Sequence, residues 1–361
     1  LNREVPPVAL LPKSPALAGI RHRDPAGIAA SSSPIRARRS AAAPARESAR
    51  FLALPAASLG SVRGSRGIWA LLLLLFAIVL LPVPALAFGP VAHVDMGLQI
   101  LAHAAVAGTL VGRVIQRHRD AFLRGTVDPD RVLAKNLAPY ERHTHNWDRV
   151  LGLLDGARSD RERAAFLGQV CHLAADVVAH NYFVPAKMAE SFRFPMARHA
   201  YWEMRFDTRV RARGGVNPGG AALGWCRPEH ERFLADVLEP TVLGTGFNVR
   251  VTGLALDWQR QPVFDRAGAL WDRAARTELA DDEVDAVRRM AIDAQVVALA
   301  TLGNGPLFQV DPRGLEPLRR SAAIRRELRG LRRDMSWAEI YRRVEESRDA
   351  FRSLVSSAVS S

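Results

Sequence analysis

The sequence predicts an all-α protein, and two observations carry that prediction. From residue 88 onward apolar residues recur at three- and four-residue spacing, with little of the alternation that marks strands. The loops between these stretches are mostly short, which implies one compact multi-helix domain.

The spacing places helices over 94–116, 147–154, 161–183, 195–210, 229–238, 281–302, 315–331 and 337–355. Ser336 with Glu339 forms a capping box, in which two polar side chains satisfy free amides at a helix start. Residues 214–224 read as a Gly-rich loop, and no internal repeat is present.

The front of the chain has a different composition. Residues 68–81 are an unbroken apolar run behind Arg63 and Arg66, followed by Pro82, Pro84 and the small-residue site Ala85-Leu86-Ala87. That order reads as a signal peptide over 63–87, cleaved after Ala87, and the product is secreted or periplasmic. Uncleaved, the run is a membrane anchor, although an anchor needs about 20 apolar residues. Residues 1–62, rich in Ala, Arg, Ser and Pro, read as a disordered leader or an over-extended gene start. The mature domain then spans 88–361, with 88–210 carrying the chemistry and 211–361 a helical C-terminal part.

The net charge is +13. Residues 1–87 hold 11 Lys/Arg against Glu4, Asp24 and Glu47, so the mature chain is only modestly basic. The charge is therefore weak evidence for a nucleic-acid partner. Two cysteines, Cys171 and Cys226, make neither a disulfide framework nor a thiolate zinc site.

Eight of the ten histidines lie between His93 and His199. In the stretch 171–180, His172, Asp176 and His180 are four apart, so on a helix each is turned only about 40° from the last. The flanks Val170, Leu173, Ala174, Val177 and Val178 are apolar, so this polar stripe is buried. Buried charges need partners or a metal ion. A polar helix face with His–Asp contacts is the alternative. His199 and Glu203 repeat the spacing on the next helix, with Asp207 one turn on. Asp128 and Asp130 sit in a turn after Gly125. Of His143 and His145, two apart, one is expected to reach the metal. His103 and His118 have no partner pattern and read as structural or surface residues. Cleavage after Ala87 would give Phe88 a free α-amine, which with its carbonyl and His93 forms a further set of ligands.

The order of these motifs resembles the zinc-dependent phospholipase C and single-strand nuclease superfamily over roughly residues 88–210. The resemblance implies a phospholipase C/nuclease-type helical domain with up to three zinc ions. It matches Phe88 to a terminal Trp whose backbone binds metal, and His93 to a His five residues on. It further matches Asp130, His143 (with His145 as the alternative), His172 with Asp176, and His199 with Glu203. The family's next His falls six residues after the central Asp. Tyr182 holds that place here, and His180 comes two residues early, reaching the metal if the helix stays regular to Phe183. The implied activity is phosphodiester hydrolysis of phospholipids by a metal-bound hydroxide, with Asp130 as catalytic orienter or base. A single-strand nuclease or nucleotidase, with Tyr182, Phe183, Phe192, Phe194, Tyr201 and Trp202 as stacking aromatics, is the alternative. A non-catalytic, metal-stabilised binding protein is another. The run from Arg313 to Arg333 holds eight arginines against Glu316 and Glu327, and is either a peripheral membrane contact or a solvated basic helix.

Overall fold

The computed structural model describes residues 88–131, 143–195, 197–214, 266, 272, 277–332 and 334–360. All fall within one compact unit, Pro82–Ser361. Among the described residues there is no strand, as the apolar spacing predicts. In order come α1 (Pro90–Ala102), α2 (Ala104–Ala107), α3 (Leu110–Arg117), α4 (Arg119–Gly125) and a 3-10 turn at Asp128–Arg131. Then follow α5 (Trp147–Asp155), α6 (Asp160–Val178), a π-turn (Ala179–Phe183), α7 (Val184–Glu190) and α8 (His199–Ala212). The chain finishes with α9 (Asp281–Thr301), a 3-10 turn at Pro306–Gln309, α10 (Leu315–Leu331) and α11 (Trp337–Val359). No helix among the described residues is long and apolar enough to cross a membrane. The apolar run 68–81, the helix expected at 229–238 and most of the Gly-rich loop lie outside the described residues, as does Cys226.

Two expected helices are divided. The stretch 94–116 breaks at His103, whose ψ of 123° is extended, and again at Thr109, whose hydroxyl caps α3 by accepting from Gly112 N at 2.9 Å. The stretch 161–183 is not regular to its end, because the last five residues widen into the π-turn. Pro185 follows and has no N–H to offer residue 181, so an unbroken ladder cannot pass this point. The caps are local. Asn146 accepts from Arg149 N at 3.3 Å, Ser159 from Glu162 N at 3.2 Å, and Ser336 from Glu339 N at 3.3 Å. The Glu339 carboxylate turns out to Arg342, so only half of the expected capping box forms.

Helix α6 is the buried axis. Every residue from Ala164 to Val178 is buried, and α4, α5 and α9 pack around it. Gly125 and Gly168 let α4 and α6 touch backbone to backbone. A Cβ on Gly125 would stand 1.9 Å from Ala165 O, and one on Gly168 would stand 2.1 Å from Phe122 O. This crossing brings the turn after α4 up to the polar stripe of α6.

Candidate metal centre

His172 and Asp176 project from α6 into a pocket of polar groups with no solvent exposure. The close crossing places the Thr126 carbonyl 2.8 Å from His172 Nδ1, which donates to it. The same turn divides its two acids. Asp128 is taken by Arg124, Nε to Oδ1 at 3.0 Å, a buried pair that braces the turn. Asp130 faces the cluster instead, with its Oδ1 3.2 Å from His145 Nε2 and 3.8 Å from His172 Nε2.

His145 arrives on the segment before α5, which Thr144 ties to the turn by donating to Pro129 O at 2.8 Å. That hydroxyl proton being used, the Thr144 oxygen 3.1 Å from His145 Nδ1 accepts from the ring. His145 Nε2 is then left pointing inward, 3.1 Å from Asp176 Oδ2 and 3.1 Å from His172 Nε2. His143 sits beside it, accepting the His145 amide at Nδ1 over 3.0 Å, with the two rings edge to face.

His93 comes from α1, stacked on His172 with ring centres 4.0 Å apart, its Nε2 3.3 Å from Asp176 Oδ1. Helix α1 is held in place by Asp207 of α8, which accepts the free amides of Val91 (3.1 Å) and Ala92 (3.0 Å). Phe88 is fully buried against Phe206, with ring centres 4.5 Å apart, and its ring centre lies 6.1 Å from that of His93. Such burial contributes about 2–3 kcal/mol and fixes residue 88 beside the cluster.

A second group lies next to the first. His180, on the π-turn, has Nε2 3.3 Å from Glu203 Oε1, and His199 Nε2 is 2.5 Å from the same oxygen. His180 therefore reaches its carboxylate partner through an irregular helix, not the regular one expected. Its Nδ1 donates to Pro312 O at 2.6 Å. The loop leading to His199 is clamped from α10, where Arg325 donates to the carbonyls of Phe194 and Ala197.

Three sets of ligand atoms thus stand within 4.8 Å of one another: His93, Asp130 and His172; His145, His172 and Asp176; His180, His199 and Glu203. Among the described residues none of these sets contains His143. His145, His172 and His180 each donate Nδ1 to an outer partner and so turn an Nε2 lone pair inward, the arrangement that prepares imidazole for a metal. Lone pairs facing carboxylates repel unless a cation lies between them. The separations of 3.1–3.3 Å agree with the roughly 3.3 Å between two ligands on one tetrahedral zinc ion. Both oxygens of Asp176 and both ring nitrogens of His93 are buried without a hydrogen bond, since their neighbours are close but not aligned for one. The donor set fits zinc.

The electrostatics agree. Burial opposes the charge on Asp176, but the charge of His172 and the neighbouring imidazoles hold its carboxyl well below the usual range. Burial pushes His93 down to about 4, helped by the charge of His172, so it is a neutral ligand. His172 moves up despite burial, drawn by Asp176 and Asp130. Burial raises Glu203 to about 8 against the pull of His180, with Asp130 and Asp176 adding to the rise. A cation at the cluster reverses that logic. Cys171, buried next to His172 on α6, is a free thiol that burial pushes up, which makes it inert.

Every sequence-predicted residue falls in or against this region. His103 and His118 sit at helix junctions outside it. Sequence reasoning did not find the bracing role of Asp207, although its place one turn after Glu203 was a signal. Nor did it find Pro312, Thr126 or Arg325, which act through or upon backbone carbonyls.

Fold and site together define an all-helical protein with a buried histidine–carboxylate cluster whose geometry fits metal ions. Residues 92–236 match the family described as "Zinc dependent phospholipase C", so this stretch is similar to a family of zinc-using phosphodiester hydrolases. Neither the curated proteins nor the solved structures gave a match.

Proposed function

We propose that this chain is an exported zinc-dependent hydrolase of the phospholipase C type that cleaves phospholipid phosphodiesters. The observation that carries the reading is Asp176, a fully buried carboxylate at which His93, His145 and His172 converge within 3.1–3.3 Å. Asp130, His145, His172 and Asp176 would hold one ion. His93 and Asp176, with the backbone of Phe88 after cleavage at Ala87, would hold a second, and His180, His199 and Glu203 would hold a third. Bound zinc supplies a Lewis acid that activates water near neutral pH and offsets charge on phosphoryl oxygens. Asp130, at the edge of the cluster, orients that water and takes its proton on a carboxylate oxygen. The water oxygen bonds to phosphorus as the phosphorus–oxygen bond to the glycerol side breaks, and the alcohol leaves with the proton that Asp130 took. His199, its side chain 22% exposed, is more open than His93, His145, His172, His180 and Glu203, so substrate enters on its side.

Lipid is favoured over single-stranded nucleic acid by the aromatics. Tyr182, Phe183, Phe192 and Trp202 are buried, and Phe194 and Tyr201 pack against the core, so they do not form a stacking platform. The run proposed as a peripheral membrane contact is α10 with its C-cap Arg332, where Arg319, Arg320, Arg326, Arg329 and Arg332 are exposed while Leu328 is buried and Arg325 turns inward.

The test is hydrolysis of a short-chain phosphatidylcholine and of single-stranded DNA, each with and without chelator. Chelator-sensitive release of diacylglycerol is expected, with DNA intact. Cleavage of DNA alone would transfer the reading to a nuclease. Cleavage of neither, with zinc retained, would leave a metal-stabilised binding protein.

A further inference from the structure

The group formed by His180, His199 and Glu203 leans on a segment far from it in sequence and outside the family-matched residues. Residues 310–314 lie between the 3-10 turn Pro306–Gln309 and α10. The Pro312 carbonyl only accepts, so His180 Nδ1, 2.6 Å away, carries the proton and its Nε2 is left for the cluster. One residue on, Asn181 donates to Asp311 O at 3.0 Å and to Val177 O at 3.0 Å. Gly314 is pressed against the same turn. Its φ is +54°, and a Cβ on it would meet His180 O at 2.3 Å and His180 C at 2.6 Å. Asp311 closes the segment on itself, accepting the Arg313 amide at 3.1 Å and its Nε at 3.0 Å. The near end is anchored too. Trp147 donates to Val310 O at 3.0 Å and packs on Phe308, with ring centres 4.6 Å apart. Trp147 begins the helix that follows His145, so one strap touches both halves of the centre.

We propose that residues 310–314 are the positioning element of the His180 site, fixing the tautomer and aim of His180 so that its Nε2 meets Glu203 and His199. A π-turn lacks the regular ladder that would hold His180 by itself, and the strap supplies the missing restraint. The inference rests on the zinc reading above for its ligand but concerns residues that touch no substrate.

The experiment is zinc stoichiometry and chelator competition on the full chain, with circular dichroism as the control for folding. His180→Ala identifies the zinc class held by this group. Gly314→Ala, which drives a methyl into the His180 backbone, is expected to weaken that same class about 10–100-fold and leave the remaining zinc bound. Added to His180→Ala it should cost nothing more, because both act through one ring. Asp311→Ala, which frees the turn without crowding it, carries the same test in smaller measure and stands in if Gly314→Ala does not fold. Folded strap variants with unchanged zinc affinity would overturn the proposal, as would additive loss in the double variant. A folded His180→Ala variant that changes no zinc class would instead overturn the zinc assignment of the group.

Discussion

The two halves of the metal centre are built differently. Around Asp176 the side chains of His93, His145 and His172 are no more than 1% exposed, and they come from α1, α6 and the segment before α5. All lie within the family-matched stretch. Around Glu203 the group is shallower, His199 reaches solvent, and the outer partner of His180 comes from residue 312. Long contacts brace both halves, Asp207 on the amides of α1 and Val310 on Trp147, but in the rim half the contact falls on the histidine itself, from Pro312 to His180 across 132 residues.

The most severe lesion of the deep half is Asp176→Asn. One carboxylate serves three histidines, so zinc of the deep half should be lost. Hydrolysis should fall by more than the roughly 100-fold that loss of an outer partner costs. Metal analysis beside rate measurement checks this, and a variant that keeps both would remove Asp176 from the centre. Glu203→Gln strikes the rim half alone: it should cost the rim ion and about 10–100-fold in rate while the deep zinc stays. Loss of all zinc in that variant would mean the halves are one unit.

The smallest effect concerns the brace of the deep half. Asp207→Ala removes two amide partners at the start of α1 and should cost about 1–2 kcal/mol of stability, read from the denaturant midpoint. Its pH dependence has a definite sign. Burial raises the Asp207 carboxyl to about 7, against the pull of the Ala92 and Val91 amides. The folded chain therefore keeps a proton, between about pH 4 and 7, that the unfolded chain has lost. The stability this group contributes is full below that window and declines as pH rises through it. Asp207→Asn should flatten that decline. An unchanged slope of Tm against pH would show that Asp207 ionises freely in the fold.

Much of the deep half was legible because its information is local. Four-residue spacing on an apolar helix names His172 and Asp176, and the same spacing names His199 and Glu203. The choice between His143 and His145 was not legible, because it depends on where the Thr144 hydroxyl sends its proton. The break at Thr109 and the π-turn before Pro185 were missed because apolar periodicity runs straight through both. Thr126 and Pro312 were beyond reach for another reason. Each contributes a carbonyl, which every residue owns, so no side-chain pattern marks it. Asp207 lies between these cases: its residue type and position were visible, but its partners are amides 115 and 116 residues away.

The crossing of α4 and α6 extends this thought to residues with no side chain at all. Gly125 and Gly168 bind no metal and touch no substrate, and a catalogue of functional groups would omit both. Yet the spacing of the two helices at that point sets whether Thr126 can hold His172 and whether Asp130 stands within range of the ion. A variant at either glycine that loses activity would be filed as a remote folding defect. In this architecture it is a lesion of the metal centre, inflicted through the thickness of two backbones.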